Sequence, residues 1–447
     1  MMFKSRKSGM RLSSGSRREF LAALAGVLLA VSVPVVAADN VTSLAPLQLP
    51  APTGAMPIGT RDFEIVDPHR AEPSRPDVGG KRRIMVRIWY PAATAAGTRR
   101  PYRTGLEAAV LGPSLAASLN APAGTFAHIG DGPTHAVENA PPASGRAGPI
   151  ILFSHGYLGS VDTNTAMMEE LASHGYVAVS ITHPSESGAV VYPDGDVAAL
   201  DPAVIAYMRG RALDADTRIL MTSKDVGERL AATRRILAAP DRLHDSALVW
   251  RDDFRTVFSA LRGKRVDAPV TAILRQADFT RTAFIGMSFG GPAAIAACHA
   301  ERTCRAAVNL DGREVMDWFL DQPVRMPVLM AYNQRATDLT GFGYNDFFYE
   351  PLAQVGKTGR VTRVLFAGTG HWDFTDFTLL PKGKVAGIPT SVLGSVDGRE
   401  MIRNLNDLIL SYVDSHLRDG KAPAPSGKGY EPQDVSAVAA WTGGKTR

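Results

Sequence analysis

The stretch with the most chemistry in this 447-residue chain is Phe284-Ile285-Gly286-Met287-Ser288-Phe289-Gly290-Gly291. It is a Gly-x-Ser-x-Gly pentapeptide that follows an apolar run and precedes the small-residue segment Pro292–His299. Gly286 and Gly290 suit a turn too tight for side chains two residues either side of the serine, and a strand-to-helix turn presents the Ser288 hydroxyl at a helix N-terminus, where amides and dipole favour developing negative charge. A seryl hydroxyl is unreactive at neutral pH, so it needs a base and a group that orients the base. Of the ten histidines, His69, His128 and His135 precede the sheet, and His174, His299 and His416 belong to helices or their ends. His244 falls in an inserted stretch, while His155 and His183 close strands that come before the serine. His371, in the Gly-rich Gly368-Thr369-Gly370-His371-Trp372-Asp373-Phe374 after the last strand, is the expected base. The acid should lie between the two in chain order. Asp311 closes the first strand after the serine, and Asp338 and Asp346 follow one strand later; position favours Asp311 and leaves the other two open.

Acyl chemistry at such a serine also needs two backbone amides to hold an oxyanion. One is that of Phe289. The other is expected from Phe153-Ser154-His155-Gly156-Tyr157-Leu158-Gly159, where Gly156 allows the turn and the amide of Tyr157 faces Ser288; His155 reads as a scaffold residue of that turn.

These side chains must be carried by a sheet. Pro149–Ser154 is a short apolar run suited to a strand buried on both faces, and further strands read at Ile84–Tyr90, Tyr176–Thr182, Thr282–Ile285, Arg305–Leu310, Pro327–Tyr332 and Thr362–Ala367. Helical spacing separates most of them, at Thr165–His174, Arg251–Leu261 and finally Glu400–Leu417. Strands alternating with helices predict an α/β domain with a mainly parallel central sheet flanked by helices. Residues 92–148 show little pattern and read as irregular or weakly helical. Residues 186–250, with helical spacing at Ala203–Leu213 and Val226–Leu237, follow a strand end and are expected to form a helical cap over the crevice.

Composition narrows the function. The formal charge of +5 belongs to the N-terminus: residues 1–38 hold six basic groups and one acid, which leaves 43 of each sign in the remainder. No nucleic-acid partner is expected from a balanced chain. The basic segment ending Ser16-Arg17-Arg18-Glu19-Phe20-Leu21, the uncharged run Leu21–Ala37 and Val36-Ala37-Ala38 read as a twin-arginine signal peptide over 1–38, with a periplasmic or secreted product and no stable membrane span after cleavage. Residues 39–56 read as an extended lead-in, 57–418 as the main domain and 419–447 as a flexible tail. Cys298 and Cys304, the two cysteines, are either a local disulfide or two small buried thiols; two thiols with one nearby His make no zinc site, and neither metal nor cofactor is expected.

Leu152-Phe153-Ser154-His155-Gly156, Leu171–Ala178, Gly286–Gly291, Asn309-Leu310-Asp311-Gly312, Gly370–Asp376 and the strand Arg87–Ala92 together resemble the platelet-activating-factor acetylhydrolase type II family, over about residues 57–418. The resemblance implies an α/β-hydrolase fold and a calcium-independent serine esterase acting on a small-molecule or lipid ester. It also implies an acid on the strand after the elbow, which raises Asp311 over its rivals, and oxyanion amides at Tyr157 and Phe289. Met287 stands where the family usually has His, and residues 186–250 match nothing in it. The expected reaction is hydrolysis of short-chain acyl esters by Ser288, His371 and Asp311. A cutinase-like lipid or polyester hydrolase and a catalytically silent binding protein are the competing expectations.

Overall fold

Gly148–Ser154 shows why the sheet forms where it does. Ile150 and Leu152 pack on one face with Trp250, Phe254 and Val257, while Ile151 and Phe153 pack on the other with Met167, Leu171, Leu405 and Ile409. A strand covered on both faces has no polar positions to spare, and each such side chain contributes about 1.5–3 kcal/mol by leaving water. The computed structural model describes residues 43–72, 80–119, 121–145, 148–210, 214–333, 341–382, 392–418 and 428–443. The expected leader 1–38, residues 39–42, Asp338, residues 211–213 and the segments 419–427 and 444–447 of the expected tail lie outside them.

The strands are β1 (Ile58–Ala71), β2 (Lys81–Pro91), β3 (Arg99–Pro101), β4 (Pro133–Glu138), β5 (Gly148–Ser154), β6 (Val177–Ile181), the hairpin β7 (Ala189–Val191) and β8 (Val197–Ala199), β9 (Ala277–Met287), β10 (Cys304–Leu310), β11 (Val328–Asn333), β12 (Val361–Phe366) and β13 (Tyr430–Pro432). Among the described residues one sheet of 11 strands has the order β13-β12-β11-β10-β9-β5-β6-β2-β1-β4-β3. Its centre, β12 through β6, is parallel, with β2 antiparallel to β6, β1 to β2 and β13 to β12. Strand order reverses between β5 and β9, and the crevice above the carboxyl ends at such a reversal is where α/β sheets bind ligands. Ser154 and Ser288 emerge there.

The helices of eight residues or more among the described residues are α1 (Gly105–Leu119), α2 (Thr165–Ser173), α3 (Pro202–Gly210), α4 (Ala215–Thr222), α5 (Val226–Ala238), α6 (Arg242–Arg262), α7 (Gly290–Ala300), α8 (Gly398–Leu417) and α9 (Ser436–Gly443), and a shorter one spans Ala268–Ile273. At the end of α7, Cys298 and Cys304 are joined as a disulfide, with their Cα atoms 5.2 Å apart. No helix among the described residues is long and apolar enough to cross a membrane.

One strand was not expected and three expectations are corrected. The strand is β1, paired along β2 from Ile58 opposite Pro91 to Val66 opposite Arg83; its outward Asp62, Glu64 and Val66 and its Asp-Pro-His-Arg end hid it from pattern reading. Residues 92–148, read as irregular or weakly helical, hold the helix α1 but also the strands β3 and β4. The insertion 186–250 is not purely helical, because it opens with the β7–β8 hairpin, and α6 starts at Arg242 rather than Arg251, where the Asp241 side chain accepts from the Leu243 amide at 2.9 Å. Residues 428–443 of the expected flexible tail are built into the fold: β13 pairs with β12, and Gln433 donates to buried Asp346 at 2.8 Å.

Candidate active site

The elbow is forced into a conformation L-residues avoid. Ser288 has φ of 52°, in the left-handed region. A Cβ on Gly286 would lie 2.0 Å from the Gly290 carbonyl oxygen, and one on Gly290 would lie 2.5 Å from the carbonyl oxygens of both Ser154 and His155. The Gly-x-Ser-x-Gly spacing therefore reflects contacts with backbone that cannot move aside.

Three elements converge on the hydroxyl. Ser288 Oγ lies 2.8 Å from His371 Nε2, and His371 Nδ1 lies 2.6 Å from Asp311 Oδ2. The imidazole is 35% exposed and the carboxylate 1%, so the base opens to the crevice while the acid stays dry. Asp311 has φ of 58° and sits at the end of β10, where Asn309 ties the turn: its Oδ1 accepts from the Gly312 amide at 2.7 Å and its Nδ2 donates to the Gly312 carbonyl at 2.9 Å. Gly312 is required, since a Cβ there would lie 2.1 Å from the Ser288 carbonyl oxygen. The His371 loop is anchored by buried Asp373, which accepts from the Gly370 and Gly394 amides, each at 2.6 Å, and from Lys382 Nζ at 2.6 Å. Of the rival acids, Asp346 is buried, accepts from the Gly343 amide at 2.7 Å and is pushed up by that burial, which places it in a structural network away from His371. Asp338 lies outside the described residues.

The β5 loop closes on the same serine. A Cβ on Gly156 would lie 2.8 Å from Ser288 Cβ, so only glycine lets this backbone reach the nucleophile position. The rings of Tyr157 and Phe289 meet edge to face with centroids 5.1 Å apart. His155 is fully buried; burial and the neighbouring His183 hold its pKa down to about 3, so it is neutral, with Nδ1 2.7 Å from the Gly156 carbonyl and Nε2 3.0 Å from Ser187 Oγ. It is a scaffold residue.

A cavity of about 170 Å³ opens over Ser288, with apolar walls from Phe289, Val315 and, in the insertion, Met208, Ile236, Leu237 and Leu243. Trp372, adjacent to the base in sequence, packs against Phe377 with ring centroids 5.5 Å apart. Sequence reasoning missed Asn333, which ends β11 and donates twice to Asp311, from its amide to Oδ1 at 2.9 Å and from Nδ2 to Oδ2 at 2.6 Å. The nearest signal was its place at the carboxyl end of a strand. It also missed buried Glu314 on the cavity wall, whose carboxyl is pushed up by burial although Tyr349 and the amides of Val315 and Met316 donate to it. Among the described residues no group of His, Cys, Asp and Glu could hold a metal ion.

A hydroxyl, imidazole and carboxylate joined in this order can move a proton off the hydroxyl as it attacks a carbonyl and return it to a leaving group. Comparison with known proteins points the same way. The family model for platelet-activating factor acetylhydrolase, isoform II, matches residues 46–423. Curated platelet-activating factor acetylhydrolases are similar: that of Cavia porcellus is 26% identical over 288 residues, covering 62% of this chain and 60% of the relative. That of Gallus gallus is 23% identical over 303 residues, covering 65% and 67%. The chain thus matches about 60% of the length of the first of these relatives. A solved structure of a ferulic acid esterase from Streptomyces cinnamoneus aligns with TM-score 0.55 at 21% identity, over 87% of this chain and all of that one, and shares its α/β-hydrolase fold.

Proposed function

The chain belongs to the platelet-activating factor acetylhydrolase isoform II family, and from that premise we propose that it is a serine esterase that hydrolyses short-chain acyl esters through Ser288, His371 and Asp311. The observation that carries this reading is the continuous contact from Ser288 Oγ to His371 at 2.8 Å and from His371 to Asp311 at 2.6 Å. Ser288 Oγ attacks the ester carbonyl while His371 Nε2 takes its proton, and the tetrahedral oxyanion is held by the amides of Tyr157 and Phe289. His371 then protonates the leaving alkoxide, and Asp311, steadied by Asn333, supports the imidazolium. Water repeats the attack on the acyl-enzyme and releases the acid.

The cavity supports a small acyl group: about 170 Å³ is close to the volume of an apolar cavity that takes up one benzene. Residues 186–250 act as its cap. The leader motif Ser16–Leu21 supports export by the twin-arginine route, tested by replacing Arg17 and Arg18 with lysine and following the mature chain in cell fractions.

The decisive experiment is labelling with a fluorophosphonate probe alongside turnover of p-nitrophenyl acetate. Wild type should label at Ser288 and turn over, and Ser288→Ala should do neither while melting at the same temperature. Turnover by Ser288→Ala near the wild-type rate would overturn the assignment.

A further inference from the structure

Trp250, on α6, is fully buried and stands behind the cavity at Ser288 rather than on its wall. Its ring stacks on His183 at 3.7 Å with the planes 8° apart, lies over Tyr157 at 5.8 Å, and meets Phe289 and His155 edge to face at 4.9 and 5.4 Å. One indole thus touches the side chain of each residue whose amide is assigned to the oxyanion. Its Nε1–H donates to Glu186 Oε2 at 2.5 Å, and Glu186 Oε1 accepts from the Tyr157 hydroxyl at 3.0 Å and from the Ser246 hydroxyl. The Glu186 backbone joins in: its carbonyl accepts from the Leu158 amide at 2.9 Å.

The two amides need such support. Each is adjacent to a residue in the left-handed region, Leu158 at φ 65° beside Tyr157 and Ser288 at φ 52° beside Phe289. A non-glycine residue held there is strained and persists only where its surroundings over-determine it. Gly156, required for the approach to Ser288, leaves its own backbone least constrained. The rings of Tyr157 and Phe289 extend from those two peptides into the packing, and the Trp250 ring contacts both.

We propose that Trp250 and Glu186 are positioning residues of the oxyanion hole, so that the insertion which walls the cavity also sets the direction of the two amides. This rests on the esterase reading above. The bracket acts on the tetrahedral state and not on substrate binding, because neither side chain faces the cavity.

The test uses the full chain with Trp250→Phe, which keeps a ring and removes the N–H, Glu186→Gln, and the mildest change, Tyr157→Phe. Each is measured on p-nitrophenyl acetate and against a trifluoromethyl ketone, which forms a tetrahedral adduct with an active serine. Deleting an oxyanion donor outright costs about 10²–10³ in kcat; misdirecting one should cost less, about tenfold for Trp250→Phe and Glu186→Gln. KM should stay within about twofold, and the inhibition constant of the ketone should rise by the same factor as kcat/KM falls. A residue that merely stabilises the fold would lower the melting temperature and leave that constant unchanged in the folded fraction. Unchanged kcat in Glu186→Gln and Tyr157→Phe overturns the proposal, as does a loss confined to KM. If Trp250→Phe fails to fold, the other two variants decide. Wild type that neither turns over nor labels at Ser288 defeats the esterase reading itself, and this inference with it.

Discussion

Replacing Asp311 by Asn removes one charge and almost no volume, so its effect is set by the hydrogen bonds around the carboxylate. Three donors converge there: His371 Nδ1 and Asn333 Nδ2 on Oδ2, each at 2.6 Å, and the Asn333 amide on Oδ1 at 2.9 Å. An asparagine offers one acceptor oxygen. If that oxygen keeps the Oδ2 position, its NH2 faces the Asn333 N–H, donor against donor in a dry site. If the NH2 turns to His371 instead, the imidazole must present its Nδ1 lone pair, and Nε2 then carries a proton towards Ser288 and cannot accept one. Either way the imidazolium loses its counter-charge. The corresponding change in a serine protease costs about 10⁴ in kcat, and a loss of about 10³–10⁴ is expected here, or about 4–5.5 kcal/mol of transition-state stabilisation at 1.36 kcal/mol per tenfold. KM should move by no more than a few fold. The assay is steady-state hydrolysis of p-nitrophenyl acetate by protein whose circular dichroism and melting match wild type. A kcat within tenfold of wild type, or a greater loss from Asp338→Asn, would refute the reasoning.

Across acetyl, butyryl, octanoyl and palmitoyl esters of one alcohol, kcat/KM should fall beyond butyryl, and Leu243→Ala should raise the octanoyl-to-acetyl ratio by about fourfold per methylene accommodated, from about 0.8 kcal/mol each; a steady rise through palmitoyl in wild type would indicate an open groove. Gly286→Ala should abolish soluble expression or activity, because its Cβ meets the Gly290 carbonyl at 2.0 Å, and wild-type kcat with an unchanged melting point would contradict the elbow geometry. Glu169 is fully buried, and burial pushes its pKa up to about 7 despite the His135 and Ala136 amides that donate to it. Since the folded value lies above the ordinary one of 4.5, its contribution is full below pH 4.5 and is lost as pH rises through 7. Glu169→Gln, which imitates the protonated acid, should therefore match wild type near pH 4.5 and exceed it by about 3 kcal/mol above pH 7; chemical denaturation at both pH values that gave a constant difference would remove the argument.

Local pattern made the candidate reacting groups legible. Gly286, Ser288 and Gly290 announce a turn that only one backbone geometry satisfies, and β5 announces burial on both faces because Ile150 through Phe153 leave no alternation. Asp311 was favoured as a strand end, but family resemblance was needed to raise it clearly over Asp338 and Asp346, since choosing among acids is a question of distance to His371. Asn333 supplies two of the three donors on Asp311, yet in Met330-Ala331-Tyr332-Asn333 only its place at a strand end sets it apart. β1 and β13 were missed for another reason: a strand towards the edge of a sheet exposes part of its surface, and Asp, Arg and Pro there weaken the apolar signal.

The insertion was hardest to read, because what fixes it lies far away in sequence. Asp253 follows Trp250 by three residues on α6, so the two share a face. Burial alone would raise the Asp253 carboxyl, but Arg82 more than offsets this and holds it below the usual range. Arg82 of β2 reaches it at 2.6 Å, Arg70 of β1 at 2.7 Å and His183, beyond β6, at 2.8 Å. His183 in turn accepts the Ser154 hydroxyl at 2.8 Å and lies under the Trp250 indole. Removing one partner from such a network strands a buried charge, which typically costs about 3–5 kcal/mol, so a shift of α6 along its axis carries that penalty. The network therefore locks the register of the helix that delivers Trp250 to Tyr157 and Phe289. His183 and Asp253 pair an imidazole with a carboxylate at 2.8 Å, but with no solvent exposure they meet no substrate, and their chemistry is spent on holding α6 against the sheet.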